Sequence, residues 1–230
     1  MSRLSLDQAG QKRAAAVRAA DEVRAGMIVG LGSGTTAAVL VARLAERVRE
    51  GLRFTGVPTS EATARQARSL GIPLATLDER PELDLDLDGA DEVDGRRNLI
   101  KGLGGALLRE KIVAAAARRL VIIVDESKLV ERLGERAPLP VEVVRFGWRR
   151  TAAALRALGA DPALRGSADD PFVTDGGNVI LDCRFPLGAD LAALADAIKL
   201  TVGVVEHGLF VGLRPTVVVG RADGTCSIRE

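Results

Sequence analysis

Histidine and cysteine are almost missing from this chain. One histidine, His207, and two cysteines, Cys183 and Cys226, serve 230 residues. A zinc centre or a Ser-His-Asp triad therefore has almost no raw material. His207 stands alone in the apolar stretch VGVVEHGLF, and a structural or surface role is expected for it rather than catalysis. The cysteines lie far apart without a CxxC, so two reduced thiols are expected rather than a disulfide. No apolar run reaches membrane-spanning length, and Met1–Gly10 lacks the charged start and long apolar region of a targeting segment. The expectation is a soluble, cytoplasmic protein. Neither sign of charge dominates: 32 basic side chains stand against 31 acidic ones, which excludes the clustered basic excess of a nucleic-acid footprint. Lysine is scarce too. Only Lys12, Lys101, Lys111, Lys128 and Lys199 occur, against 27 arginines. A compact ammonium and a planar guanidinium do different work, so each retained lysine is a candidate for a specific task.

What the chain does have is ample core material and a regular alternation of elements. Hydrophobic residues make up 47%, enough for one large domain or two small ones. Asp7–Ala25 has helical spacing and stops at Gly26; MIVGLG reads as a buried strand running into a glycine turn. TTAAVLVARLAERVREG is an amphipathic helix, RFTGVPT a strand, and Ser60–Leu70 a helix. IPLATL and LDLDLD read as third and fourth strands. After the glycine-rich KGLGGALLREK come a helix through Arg119 and the strand LVIIVD. Strands alternating with helices predict a mostly parallel sheet covered on both faces. From about Arg132 the order becomes β-α-β-β-α-β, which suits a small ferredoxin-like unit. The run PTVVVGR is expected to return to the first sheet. The expected division is 1–131, completed by about 209–230, and 132–208.

Three polar segments are placed where open parallel sheets bind ligands, beyond the carboxyl ends of strands. In GLGSGTT (Gly30–Thr36), small residues admit a ligand to the backbone and the following helix offers free N–H groups to an anion. The same stretch is also an ordinary tight turn, and it lacks both the P-loop lysine and the third glycine of a dinucleotide fingerprint. In LDLDLDGADEVDG (Leu83–Gly95) a strand ends in a crowd of carboxylates. Placed near a strand end or at an edge, it would keep Asp84 and Asp86 in water, with Asp88, Asp91, Glu92 and Asp94 in the turn beyond. A solvated loop, an Asx-turn, a magnesium site and carboxylates working on hydroxyl groups are all compatible with it. In KGLGGALLREK, Lys101 opens a flexible glycine loop; with a helix starting near Gly105, Glu110 lies one to two turns inside, aimed at a site or simply exposed on a charged helix.

Taken together, GLGSGTTA, PTSEAT (Pro58–Thr63), DGADEVD, KGLGGALLREKI, DESK (Asp125–Lys128), PLPVEV, VTDGGNVILD and GVVEHGLF stand in an order that resembles ribose-5-phosphate isomerase, type A. The resemblance implies a Rossmann-like, mostly parallel sheet core with an inserted smaller ferredoxin-like α+β domain. It implies interconversion of D-ribose 5-phosphate and D-ribulose 5-phosphate through an enediolate, in the non-oxidative pentose phosphate pathway, with no cofactor and no metal. Carried over residue by residue, it implies Glu110 as the base, with Asp88 and Lys101 also catalytic. Substrate would be held by Ser33, Gly34, Thr35 and Thr36, by Asp88, Gly89, Ala90 and Asp91, by Lys101, Gly102, Leu103 and Gly104, and by Lys128 and Lys12. The implied partners are a small sugar phosphate and further copies of the chain, as a homodimer or homotetramer, with no nucleic acid and no membrane. One departure stands out: Leu103 replaces the middle one of three consecutive glycines, which matters wherever that position needs a positive φ. Two rivals remain for the core fold, a non-catalytic sugar-phosphate sensor and a nucleotide-binding enzyme. The first lacks a DNA-binding segment here, and the second lacks its phosphate motif.

Overall fold

The structure, a computed structural model, describes residues 6–230. The first five residues, on which the expectation of an untargeted N-terminus partly rests, lie outside the described residues. In chain order the elements are α1 (Gln8–Ala20), β1 (Ile28–Leu31), α2 (Thr35–Arg49), β2 (Thr55–Pro58), α3 (Glu61–Ser69), β3 (Leu85–Gly89), β4 (Glu92–Val93) and β5 (Leu99–Ile100). There follow α4 (Leu107–Ala116), β6 (Leu120–Asp125), a 3-10 turn (Glu126–Lys128), β7 (Leu139–Val143), α5 (Trp148–Ala157), β8 (Asp161–Leu164), β9 (Val179–Arg184) and α6 (Leu191–Lys199). The last strands are β10 (Val204–His207), β11 (Leu209–Phe210), β12 (Thr216–Gly220) and β13 (Cys226–Arg229). Two compact units result: unit 1 holds the chain up to Ala90, Arg109–Leu129 and Arg214–Glu230, and unit 2 holds Asp91–Leu108 and Val130–Leu213.

Unit 1 is built on a six-stranded sheet in the order β13-β12-β6-β3-β1-β2, parallel except for β13 at the edge. Of its inner strands, β1, β6 and β12 read as largely apolar runs because helices cover both faces, whereas β3 alternates leucine with aspartate. On one face α1 contributes Ala15, Ala16, Ala19 and Ala20, and α2 contributes Leu40, Val41 and Leu44, against Val29, Leu31, Leu85 and Leu87 of the sheet. The α2 residues recur at helical spacing, which puts them on one stripe; full burial of a leucine such as Leu40 contributes roughly 1.5–3 kcal/mol. On the other face, Val113, Ala116 and Ala117 of the α4 region pack with Val57 and Leu83. Helix ends are set locally: Asp7 caps α1 through the Gly10 N–H, and Ser60 caps α3 through the Thr63 N–H. The connection from β1 to β2 runs to one side and β3 lies on the other, so the strand order reverses between β1 and β3. The crevice at the carboxyl ends of those two strands is where such a sheet takes a ligand.

Unit 2 contains an antiparallel sheet in the order β10-β7-β9-β8, with α5 between β7 and β8 and α6 between β9 and β10. That is the ferredoxin-like arrangement expected from the order of elements. Val141, Val143, Leu155, Leu181 and Ile198 form its core. A second, three-stranded sheet, β11-β5-β4, also belongs to unit 2.

Several expectations are corrected. IPLATL is no strand: only Leu74 makes a bridge, to Gly56, and Pro73 before it has no N–H to extend a ladder. LDLDLD is neither an edge nor a wet strand end, because β3 lies between β1 and β6 and Asp86 is fully buried. Its carboxylate finds room because Gly30, its register partner on β1, has no side chain. β4, β5 and β13 were not legible: β4 and β5 are only two residues long, and β13 follows the last strand expected from the sequence, whereas β10 and β11 lie within the one strand expected over GVVEHGLF. Among the described residues no helix is long and apolar enough to cross a membrane, and no three His, Cys, Asp or Glu side chains converge to hold a metal ion.

Candidate active site

In unit 1 the site grows from the end of β1. Gly32 is required there by proximity: a Cβ on it would lie 2.6 Å from the Asp88 Cα and closer still to its carboxylate. The strands approach closely enough for the Gly32 N–H to reach the Leu87 carbonyl at 3.0 Å. Asp88 is inside β3, not in the turn beyond it, and is only 1% exposed. Its Oδ1 accepts the N–H of Ser33 at 3.1 Å and of Gly89 at 2.7 Å. Two backbone donors therefore fix the carboxylate beside the glycine loop. Gly34, at φ 92°, opens α2 without a side-chain cap, and Gly34 and Thr35 are exposed. An uncapped helix start leaves N–H groups available to an anion. Thr36 faces Gly89, whose added Cβ would meet the Thr36 Cβ at 3.9 Å.

Ser33 does more than donate its N–H. Its hydroxyl bonds Thr59 Oγ1 at 2.8 Å and Ser60 Oγ at 2.7 Å, while Thr63 Oγ1 donates to the Gly32 carbonyl at 2.9 Å. Thr59, Ser60 and Thr63, all buried, thus brace the loop from below. They come from PTSEAT, a segment that carried the resemblance without any assigned task. A TS..T cluster directly after a strand was the signal that could have marked them. Lys12 of α1 donates to Thr35 Oγ1 at 3.4 Å and lies 3.9 Å from the buried Asp125 Oδ2 at the end of β6. Lys128, half-buried, ends the 3-10 turn that follows β6.

Glu110 lies in the first turn of α4, nearer its start than expected, and is 5% exposed. It is therefore not the exposed member of a charged helix surface. One turn further along the same helical face, Val113 would meet a Cβ on Gly30 at 2.6 Å. Asp86 and Asp88, two residues apart on a strand, share that side of the sheet. The helix thus carries Glu110 to the side of the sheet that bears the Asp86 and Asp88 carboxylates. Ala90, half-buried, closes this part of unit 1.

In unit 2 the site elements are Asp91 and the loop after β5. Lys101 is 3% exposed; its N–H donates to the Gly208 carbonyl at 2.9 Å and its Nζ lies over the Phe210 ring at 5.6 Å. An aromatic face attracts an ammonium held over it. The loop turns through positive φ at Gly102 (103°) and Gly105 (83°), closed by the Gly105 N–H to the Gly102 carbonyl at 3.0 Å. Leu103 is not among the positive-φ residues, so its departure from glycine costs no backbone strain. Its N–H donates to Asp91 Oδ2 at 2.9 Å, and its side chain, like Gly104, is exposed.

The acidic crowd therefore divides by task. Asp84 accepts the Ile28 N–H, Asp88 holds the Ser33 loop and Asp91 holds the Leu103 loop. Glu92, fully buried, takes the N–H groups of Gly134, Arg136 and Ala137. Asp94 makes an Asx-type turn to Arg96 and Asn98. The last two are structural. So is His207, whose Nδ1 accepts the Leu209 N–H at 3.2 Å. Cys183 and Cys226 are free thiols, and burial pushes the Cys183 thiol up to about 12.

Comparison with known proteins identifies the family. Residues 55–224 match the family described as ribose 5-phosphate isomerase A (phosphoriboisomerase A). Ribose-5-phosphate isomerase A of a Synechococcus strain is 57% identical over 222 residues, covering 95% of this chain and 96% of the relative. That of Gloeobacter violaceus is 59% identical over 214 residues, covering 93% of each. A solved D-ribose-5-phosphate isomerase in complex with phospho-erythronic acid superposes with a TM-score of 0.94 at 34% identity, over 98% of this chain and all of the other. The ribose 5-phosphate isomerase A of Methanocaldococcus jannaschii follows at 0.90 and 39%, over 96% and 98%. With a family model spanning residues 55–224 and relatives matching nearly end to end, the chain belongs to the ribose 5-phosphate isomerase A family.

Proposed function

We propose that this protein interconverts D-ribose 5-phosphate and D-ribulose 5-phosphate. The observation that carries the reading is a buried carboxylate, Glu110, at the head of a helix on the Asp88 side of the sheet, in a chain of this family. Glu110 removes the proton from C2 of the open-chain aldose and returns it to C1, while a second proton passes from O2 to O1. Between the two transfers the substrate is an enediolate. Lys101 offers its ammonium to the developing oxyanion, and such aimed charge in a water-poor site is a large catalytic term. Asp88 and Asp91 hold sugar hydroxyls, with Asp88 also assisting ring opening. The donors at Ser33, Gly34, Thr35 and Thr36 take the phosphate, joined by Lys12 and Lys128; Gly89, Ala90, Gly102 and Gly104 offer backbone groups, while Leu103 spends its own N–H and C=O on Asp91 and Arg165 and shapes the loop. Phospho-erythronic acid supports the assignment by its chemistry: its planar, charged carboxylate resembles an enediolate, and its phosphate matches that of the substrate.

The partner we assign besides the sugar phosphate is a second copy of the chain. Supporting this, unit 2 exposes Phe146 at 93%, Val202 at 91% and Leu200 at 82%, an apolar display uncommon on a monomer. Sedimentation that finds only monomer at all concentrations would overturn it. A phosphorylated sugar does not cross a membrane unaided, so the reading places the protein in the cytoplasm.

The test is a coupled assay for ribulose 5-phosphate formation from ribose 5-phosphate with EDTA present throughout. Turnover is expected, because the assigned groups are carboxylates and a lysine. No turnover under any condition would refute the reading; turnover only on adding a divalent metal would refute the metal-free mechanism.

A further inference from the structure

Arg165, just after β8, belongs to none of the segments that carried the functional reading. Its guanidinium is part-buried within unit 2 and uses three nitrogens on three partners. Nε donates to Asp182 Oδ2 at 2.9 Å and Nη2 donates to Asp182 Oδ1, a two-point pairing with β9 that fixes the plane of the group. Nη1 then donates to two consecutive backbone carbonyls, those of Gly102 and Leu103, at 3.0 Å each. The cation also lies over the Phe172 ring at 5.6 Å, and a Cβ on Gly105 would meet that ring's Cε1 at 2.5 Å. The loop after Lys101 is thus gripped from one side by a single arginine and the ring beneath it.

We infer that Arg165 is a positioning residue that holds the Lys101–Gly105 loop in one conformation. The Leu103 peptide is held at both ends, its N–H by Asp91 and its C=O by Arg165. All of this recognition passes through backbone atoms, which explains why leucine is accepted at position 103. Asp182 orients the guanidinium, so that the remaining donor faces the loop. Lysine cannot replace it: one ammonium has no planar fork to satisfy a carboxylate and two carbonyls together. The significance of the clamp for turnover rests on the assignment of Lys101 made above.

The test compares the wild type with Arg165→Lys and Arg165→Ala by backbone hydrogen exchange and by kinetics. In both variants, peptides spanning residues 101–105 should exchange at least ~10-fold faster, with exchange in β7 and β9 unchanged. The kcat on ribose 5-phosphate should fall by ~10- to 100-fold with a smaller change in KM, since a misplacement of about 1 Å can cost about 10²-fold. Added guanidinium should restore part of the kcat of Arg165→Ala, and ammonium at equal ionic strength should not. Wild-type exchange in the loop, or equally faster exchange throughout unit 2, would overturn the proposal. A kcat loss without loosening of the loop would overturn it as well. The turnover of the wild-type protein tests the functional reading separately: an inactive wild type with a loop that loosens in the variants would sink the function and leave the clamp standing.

Discussion

Replacing Gly32 by alanine probes the closest approach in the site. The added Cβ would sit 2.6 Å from the Asp88 Cα, a backbone atom that no rotamer change can move. The strands must therefore separate at this point, where the Gly32 N–H holds the Leu87 carbonyl at 3.0 Å. Overpacking of this kind costs about 1–3 kcal/mol. For a chain of this size each kcal/mol lowers Tm by about 2–4 °C, so a drop of roughly 2–12 °C is expected. Catalysis should suffer more than stability. The Asp88 carboxylate is held by the Ser33 N–H at 3.1 Å, and moving it by about 1 Å should cost about 10²-fold in kcat. Thermal melting followed by circular dichroism and a steady-state assay of the same preparation measure both. Gly95→Ala is the control, because a Cβ there meets nothing within 4 Å; its Tm and kcat should stay at wild-type values. A Gly32→Ala variant with wild-type Tm and kcat would refute the claim that this contact positions Asp88.

Glu110→Gln keeps size and one acceptor oxygen but removes the base, so kcat should fall by at least ~10²-fold and solvent deuterium should no longer enter at C2; exchange at the wild-type rate would shift the role to Asp88 or Asp91. Lys101→Arg conserves charge yet forces a planar fork into a buried slot beside Phe210, so kcat should drop by at least ~10-fold; near-native turnover would mean that Lys101 supplies only diffuse charge. Burial raises the Cys183 thiol from 9.0 to about 12, so at pH 8 it should resist thiol reagents until the protein is denatured. Between those two values the unfolded chain loses the thiol proton while the folded chain keeps it. Cys183 should therefore contribute stability below about pH 9 that is lost as pH rises toward 12, and a Cys183→Ala variant should show a shallower alkaline decline in Tm.

The amino-acid order alone determined the α/β class and the ferredoxin-like unit, because apolar periods of two and 3.6 report directly which face of each element is buried. It also marked Lys101, by the rarity of lysine, and the glycine turn after β1, by its small residues. The order could not say that LDLDLD is a central strand. Alternation in one segment is blind to the neighbouring strand, and only the pairing of Asp86 with Gly30 shows where a buried carboxylate finds space. Nor could it divide the six carboxylates of that stretch. Asp88 and Glu92 look alike in sequence, yet Asp88 takes the Ser33 N–H while Glu92 takes three N–H groups from residues 134–137, more than forty positions away. Arg165 was hidden for the same reason: among 27 arginines nothing local distinguishes the one whose donors meet the carbonyls of Gly102 and Leu103. Periodicity is a property of neighbours along the chain, whereas a hydrogen bond between distant residues exists only once folding has brought donor and acceptor together.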